Sequence, residues 1–234
     1  TIGGLAKPKI ALLNDTNGSA DGDFAVAFSE GVIRSIIVNP DYLYIGGGFV
    51  INYINEFEEE ITVSNLAKIT RGGTINGEWR FQSNSAIYSV AETMTDLFIA
   101  GLFTNLDDKS INYAAKISKA NRGVYDTWKP NPSGESYSTA VSGTDIYLGG
   151  NFVSAGGVSR KNLARISHTT KTADLTWAPE LNATATEMVI DGVSLYLVGY
   201  FTTVNGTARG RGARISKTDG SLGAWDPVSD NVIT

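Results

Sequence analysis

Four tryptophans recur along this chain at an almost constant spacing, and this period constrains the fold more than any other feature. Trp79, Trp128, Trp177 and Trp225 are 49, 49 and 48 residues apart, and the chain contains no other tryptophan. Two further series repeat with nearly the same period, apart from one interval of 54 residues between Phe49 and Phe103. One is an alanine before a cation and an isoleucine, at Ala67, Ala115, Ala164 and Ala213. The other is a phenylalanine after a glycine-containing apolar run, at Phe49, Phe103, Phe152 and Phe201. Three series with one period indicate tandem structural units.

Each unit predicts four short strands. The first is an apolar alternation, and the second has the pattern LYIGGGF, LFIAGLF, IYLGGNF or LYLVGYF. The third reads NLAKI, YAAKI, NLARI or GARI, and the fourth follows a polar turn and ends at the tryptophan. One glycine holds the same place in every second strand, at Gly47, Gly101, Gly150 and Gly199, which indicates a bulge or a close backbone approach. Four strands per 49 residues predict an all-β fold, a β-propeller of four-stranded blades, because one β-solenoid coil is shorter.

The expected units are a partial copy at 1–30, then 31–84, 85–135, 136–184 and 185–230, with 231–234 starting the next strand. In the partial copy, Phe24 takes the place of the tryptophan. Counting strands by type predicts five blades, with the first strand of the fifth blade at the C-terminus and its outer two at the N-terminus. Its second strand has no counterpart, so about 12–15 residues are expected outside this chain. Six or seven blades follow if the chain is an excerpt of a longer array.

Three kinds of segment resemble a known family of repeats. They are the second-strand patterns LYIGGGF and IYLGGNF, the third-strand patterns NLAKI and NLARI, and the segments WKPNP and WAPEL. They resemble the bacterial β-propeller repeats of the delta-60 or DUF5122 type, over nearly the whole chain. The resemblance implies a propeller in a large secreted or surface-attached bacterial protein. It implies no catalytic residues.

The composition narrows the classes of partner. A net charge of −5 disfavours nucleic acid and anionic membrane surfaces as partners, because both attract a basic face. The apolar runs are too short to predict insertion into a membrane. The absence of cysteine excludes disulfides, thiolate metal sites and a cysteine nucleophile. Neither a cofactor nor a metal site is predicted.

Ligand contacts are expected on the face of the long loops, which run from second to third strands and between blades. The first of these, Val50 to Ser64, holds a six-residue insertion relative to the other copies. The candidate binding residues lie there: Tyr53, Glu56, Glu58, Glu59 and Glu60. Clustered carboxylates suit Ca²⁺ or a basic partner, and the alternative is a solvated acidic loop.

Other chemical groups favour structural roles. Asp15 to Asp23 alternates like a calcium loop but lacks the required glycine and glutamate, so a plain acidic turn is expected. His168 is the only histidine and is expected to be solvent-exposed in a turn, which disfavours a catalytic triad. Asp126 and Asp174 belong to repeated turns rather than to a catalytic pair.

Two repeated positions are interpreted in the same way. The cations Lys68, Lys116, Arg165 and Arg214 predict ion pairs or hydrogen bonds between blades rather than an anion site. The tryptophans predict packing between blades rather than platforms for sugars.

Three functions remain open. The first is a non-enzymatic secreted or cell-surface module that binds or assembles with a protein or glycan partner. The second is a multivalent lectin, which needs equivalent pockets that the dissimilar loops do not predict. The third is a glycan-active enzyme, which is disfavoured because the channel-lining first strands carry or adjoin only Glu92, Glu187 and Asp191 as acidic residues.

Overall fold

A computed structural model describes Leu5 and residues 9–232. Over these residues the chain forms 18 strands and no helix, which confirms the all-β prediction. The described part of the chain therefore offers no helix that is long and apolar enough to cross a membrane.

Four antiparallel sheets of three strands follow one another along the chain. Sheet I contains β1 (Phe28–Val38), β2 (Tyr42–Ile54) and β3 (Glu60–Thr70). Sheet II contains β4 (Ile87–Glu92), β5 (Asp96–Gly101) and β8 (Ala114–Ser118). Sheet III contains β9 (Ser136–Ser142), β10 (Asp145–Gly150) and β13 (Leu163–Ser167). Sheet IV contains β14 (Ala185–Asp191), β15 (Ser194–Gly199) and β18 (Gly212–Ser216).

Sheets II, III and IV each carry a two-stranded hairpin between their second and third strands. These hairpins are β6 (Asn105–Leu106) with β7 (Lys109–Ser110), β11 (Ser154–Ala155) with β12 (Val158–Ser159), and β16 (Thr203–Val204) with β17 (Thr207–Ala208). The sequence predicts these segments as long loops. They are tighter because each turn has residues with positive φ, such as Asp107 and Asn205, that reverse the chain within two residues.

The predicted fourth strand is wrong for the described residues. In its place each sheet has one isolated antiparallel bridge to the third strand. The bridged pairs are Ile69 with Ile75, Ile117 with Val124, Ile166 with Ala173, and Ile215 with Leu222. A compact turn follows the bridge and precedes the tryptophan, as where Trp128 N donates to Tyr125 O at 3.0 Å. The turn directs the indole towards the neighbouring sheet, so the chain leaves the sheet edge after a single pair.

Four apolar cores hold the sheets together, and three of them lie between one sheet and the next. Tyr44 of sheet I packs with Ile87 of sheet II, and Phe98 of sheet II packs with Ile146 of sheet III. Tyr147 of sheet III packs with the apolar residues of sheet IV. Because sheets II and III bury both faces in this arrangement, their second strands are buried almost throughout, whereas burial alternates along the second strand of sheet IV.

The fourth core covers the outer face of sheet I with the N-terminal partial unit. Leu13 and Ala20 form a bridge in this unit, and Phe24 is 1% exposed against sheet I. Phe24 thus occupies the expected tryptophan position. The predicted strand at 231–234 falls partly outside the described residues, as do residues 1–4 and 6–8 of the partial unit.

The first strands of the four sheets lie beside one another. The Ser35 hydroxyl in β1 accepts from Val90 N in β4 at 3.0 Å, and the Ser89 hydroxyl in β4 accepts from Thr139 N in β9 at 3.1 Å. β14 in turn contacts β9. The inner edges of the sheets therefore face a common axis, although strand pairing does not join one large sheet to the next over the described residues.

Candidate functional site

The acidic insertion extends sheet I instead of forming a loop. Strands β2 and β3 remain paired from Val50 with Ser64 out to Ile54 with Glu60, so only residues 55–59 form a turn. Ile51 and Val63 on this extension are fully buried. The predicted loop Val50 to Ser64 is thus wrong, because apolar residues at every second position give the insertion a buried face that strand pairing can use.

The side chain of Asn55 orders the tip of this hairpin. Its Oδ1 accepts hydrogen bonds from Phe57 N and Glu59 N, both at 2.9 Å, and its Nδ2 donates to Glu59 Oε2 at 2.9 Å. Glu58 takes a left-handed φ of 63° to close the turn. The tip consequently presents a fixed surface in which Ile54 is 64% and Phe57 73% exposed.

The five predicted binding residues divide into two groups. The carboxylates of Glu56, Glu58, Glu59 and Glu60 are exposed around the hairpin tip. Within the part of the chain that the structure describes, no three acidic or histidine side chains converge into a group that could hold a metal ion. Tyr53 instead points inwards, where burial raises the pKa of its phenol and nearby Arg80 opposes that shift.

Two cavities flank Arg80 beside the hairpin. One, of about 500 Å³, is lined by Tyr53, Phe57 and the segment 74–80. The Tyr53 hydroxyl is buried there without a hydrogen-bond partner among the described residues. The other, of about 670 Å³, places Glu60 opposite Arg80 and the side chains of Asp107 and Arg122, which form an ion pair at 3.4 Å. The surface beside the hairpin therefore has mixed charge, and the excess of negative charge is confined to the tip.

The remaining loops of this face are held to one another by a repeated hydrogen-bond pattern. Asn84 Oδ1 accepts from Thr104 N and Asn105 N, and Asn182 Oδ1 accepts in the same way from Thr202 N and Thr203 N. Ser133 occupies the equivalent position in sheet III and accepts from two backbone groups of the following loop. These residues were not predicted to have a role, although their spacing of 49 in the sequence identifies them. They give the loop face a rigid frame in which the longer hairpin of sheet I stands apart.

The repeated cations are structural, but most of their contacts lie within one sheet rather than between sheets. Lys116 pairs with Asp96 at 3.3 Å, and Lys68 lies over the ring of Tyr42 at 4.0 Å. Within the described part of the chain Arg165 matches the prediction, because besides its ion pair with Asp174 it donates to Lys217 O of the next sheet at 2.6 Å. Burial lowers the pKa of Lys68, and the charge of Lys119 lowers it further.

Three of the four tryptophans pack between sheets, as predicted, whereas Trp225 is 40% exposed. Trp79, Trp128 and Trp177 are buried. The indole of Trp128 donates to Ser167 O at 3.1 Å, and that of Trp177 donates to Ser216 O at 2.8 Å, in each case across to the third strand of the next sheet. Three of the four indoles are thereby unavailable as open platforms for sugars.

The other candidate residues serve local structure. The Asp174 carboxylate accepts from Trp177 N and pairs with Arg165, and these two interactions hold its pKa well below the usual range. Asp126 pairs with Lys129 three residues on, at 2.6 Å. His168 is half-buried, with its ring 6.5 Å from that of Phe98, so the prediction of an exposed histidine is wrong.

The segment from Asp15 to Asp23 forms the expected plain turn. The side chain of Asn17 accepts a hydrogen bond from Ser19 N at 2.9 Å, and that of Asp21 accepts one from Asp23 N at 2.8 Å. These oxygens are engaged in turn hydrogen bonds, as the sequence predicts for an acidic turn.

Comparison with solved structures places this architecture among propeller-like all-β folds. The chain is similar to the computationally designed Ika8 protein, with a TM-score of 0.53 and 9% identity over 96% of this chain and 70% of that one. It is also similar to the WD40 domain of Pan2 from Neurospora crassa, with a TM-score of 0.51 and 11% identity over 82% of this chain and 65% of that one. WD40 repeats form propeller blades, so the likeness supports a propeller-like fold and nothing further. No family model and no curated protein matches the chain.

Proposed function

We propose that this chain is a non-enzymatic binding module with β-propeller architecture, and that it docks a protein partner on the long hairpin of sheet I. The count of strands by type supports five blades, or six or seven in a longer array, and the repeat resemblance supports a place in a secreted or cell-surface protein of bacteria. The observation that carries the proposal is the hairpin tip, where the exposed Ile54 and Phe57 are surrounded by carboxylates.

The tip combines the two features of a docking site. Ile54 and Phe57 expose apolar surface on a turn that Asn55 holds in one conformation, so little conformational entropy is lost on binding. An aromatic side chain on a rigid support is a typical anchor at a protein interface. The partner that fits is a protein surface with an apolar pocket.

The carboxylates define the charge of that partner. Glu56, Glu58, Glu59 and Glu60 surround the apolar pair, and all four are exposed. Exposed charges of one sign steer association and select the complementary sign more than they add affinity. The partner's pocket is therefore expected to have a basic rim.

A peptide array tests this assignment directly. The protein is applied to basic peptides with and without aromatic residues and to acidic peptides of matched hydrophobicity. We expect retention on basic peptides that contain apolar residues, and loss of at least about tenfold in affinity for the double variant Ile54→Ser and Phe57→Ser. Replacing the four glutamates by glutamine should slow association and weaken its dependence on salt.

Met94→Ser is the matched control for the apolar pair. Met94 is 95% exposed but lies in the turn between β4 and β5, away from the hairpin face. Equal loss of binding in the Met94 variant and the double variant would contradict the proposal. A glycan array with and without Ca²⁺, run in parallel, separates a lectin from a protein-binding module. Glycan retention together with silence on every peptide would refute the assignment.

A further inference from the structure

The first strand of every sheet has a bulge at one repeated position. In each sheet the pairing register between first and second strands skips one residue, directly after the residue that faces the repeated glycine. The skipped residues are Arg34, Tyr88, Tyr137 and Thr186. A bulged residue lies outside the strand ladder, so its side chain is redirected relative to its neighbours.

The repeated glycine explains why the bulge is kept. A Cβ atom on Gly101 would lie 2.4 Å from Ala86 O, and one on Gly150 would lie 2.2 Å from Glu135 O. The second strand therefore approaches the first more closely than any side chain would permit. This contact fixes the bulge at the same position along the first strand of each sheet.

The four bulged residues meet at the axis of the molecule. They line one cavity of about 400 Å³ together with Ile33, Glu187 and Tyr200. A cavity of this size accommodates a small organic molecule or a single long side chain. Because its walls come from β1, β4, β9 and β14, the cavity forms only when all four sheets are in place.

Aromatic rings dominate one wall of the cavity, and a cation already lies against it. The guanidinium carbon of Arg34 is 4.3 Å from the centre of the Tyr88 ring, and the rings of Tyr88 and Tyr137 meet edge-to-face at 5.0 Å. The electron-rich face of tyrosine attracts cations, most strongly where water is excluded. The internal contact of Arg34 shows that a planar cation fits this wall.

Carboxylates supply the remaining polar groups. Glu135 accepts a hydrogen bond from the Tyr137 hydroxyl at 2.5 Å, and Glu187 lies on the cavity wall. The Glu187 side chain is exposed to solvent at the mouth of the cavity, and desolvation by the surrounding residues raises its pKa. Over the described residues Glu187 forms no ion pair, whereas Glu92 on the first strand of sheet II pairs with Lys119 at 2.8 Å.

We propose that this cavity binds an organic cation, with the ammonium or guanidinium group between the tyrosine rings and the Glu187 carboxylate. An anionic ligand would be repelled by Glu187 and would have the guanidinium of Arg34 as its one charged partner on the cavity wall. A cation instead gives Glu187 an ion-pair partner, which it does not have among the described residues, and uses the faces of Tyr137 and Tyr200, since Arg34 lies against the Tyr88 ring. The cationic group is either part of a free small molecule or the side chain of a partner peptide.

Calorimetric titration of the protein with choline tests the charge requirement. The matched probe is 3,3-dimethyl-1-butanol, which has the shape of choline without its charge, and agmatine tests a guanidinium group. We expect choline or agmatine to bind at least about tenfold more tightly than the neutral alcohol. Equal affinities of the charged and neutral probes, or no binding by either cation, would overturn the proposal.

Two variants locate the binding within the cavity. Glu187→Gln should weaken cation binding by about tenfold or more and leave the neutral alcohol unaffected, and Tyr200→Leu should weaken both. Asp15→Asn, at an exposed carboxylate in the N-terminal turn, is the matched control and should leave cation binding unchanged. Cation affinity that is insensitive to Glu187→Gln would refute the assignment.

The source of the cation is distinguished by a third set of probes. Blocked lysine, arginine and trimethyl-lysine amides mimic a side chain of a partner, and tighter binding of these than of choline assigns the site to a peptide. The reverse order assigns it to a free small molecule. Because the cavity and the hairpin share no residue, failure here leaves the hairpin proposal standing, and failure of the hairpin variants leaves the cavity proposal standing.

Discussion

Replacing one buried tryptophan and one exposed tryptophan of the same repeat position by phenylalanine measures what the contact between sheets contributes to stability. Trp177 is fully buried, its ring packs on Tyr147 at 5.2 Å, and its Nε1 donates to Ser216 O at 2.8 Å. Trp225 packs on Tyr196 in the same way, at 5.4 Å, but is 40% exposed. Both tryptophans therefore pack on a tyrosine of the preceding sheet, but only Trp177 also contacts a following sheet among the described residues.

The expected cost for Trp177→Phe follows from two losses. The hydrogen bond across the sheets contributes about 1 kcal/mol, and Ser216 O keeps a second partner in Gly220 N, so no buried acceptor is orphaned. The smaller ring leaves a cavity and forfeits buried apolar area that together contribute about 1–2 kcal/mol. We expect Trp177→Phe to lower the free energy of unfolding by about 2–3 kcal/mol and Trp225→Phe by about 0.5 kcal/mol.

Urea unfolding followed by circular dichroism gives both values from the midpoints and slopes. Trp128→Phe serves as a replicate, since Trp128 makes the same hydrogen bond to Ser167 O at 3.1 Å. An equal cost for the Trp177 and Trp225 variants would refute the reasoning. It would show either that the contact between sheets contributes little or that the outer face of sheet IV is covered in solution.

Two further predictions concern the repeated glycine and the acid stability of the turns. Gly101→Ala places a Cβ atom 2.4 Å from Ala86 O, so we expect the free energy of unfolding measured in urea to fall by about 2–3 kcal/mol. Gly22→Ala is the control, because a Cβ atom there has open space around it, and it should change the free energy of unfolding by less than about 0.5 kcal/mol. The folded-state pKa of Asp174 is depressed, so its stabilising contribution is complete above the unfolded pKa near about 4 and is lost as the pH falls through the folded value. Asp174→Asn should therefore lower the urea midpoint at pH about 7 and progressively less towards pH about 2, while Asp126→Asn, on an exposed pair, should leave the midpoint unchanged at both. A constant difference between Asp174→Asn and the parent protein over this range would contradict the assigned role.

The sequence was sufficient to predict the strands whose signal is local. The repeated glycine predicted a close approach, and the structure confirms both the approach and the accompanying bulge at Gly47, Gly101, Gly150 and Gly199. The tryptophan period likewise predicted packing between neighbouring units. These predictions succeed because backbone sterics act the same way in every copy and ring burial does so at Trp79, Trp128 and Trp177.

Two elements were mispredicted for one physical reason. The fourth strand contains one bridge instead of a ladder, because the turn before each tryptophan commits the chain to the neighbouring sheet. The acidic insertion is a strand extension, because Ile51, Ile61 and Val63 find a buried face on the partial unit beside sheet I. In both cases a neighbouring element, rather than the segment's own residues, decides whether strand pairing continues.

The period by itself determined that this chain is built from similar all-β units and where each inner strand lies. The arrangement of the bulged residues was decided only by the tertiary structure. Arg34, Tyr88, Tyr137 and Thr186 are unlike one another and up to 152 residues apart, so no local pattern unites them. They share one cavity because the sheets pack face to face about an axis and turn the same position of each sheet inwards. A local pattern specifies one unit at a time, and only the packing of all four specifies what their inner edges enclose.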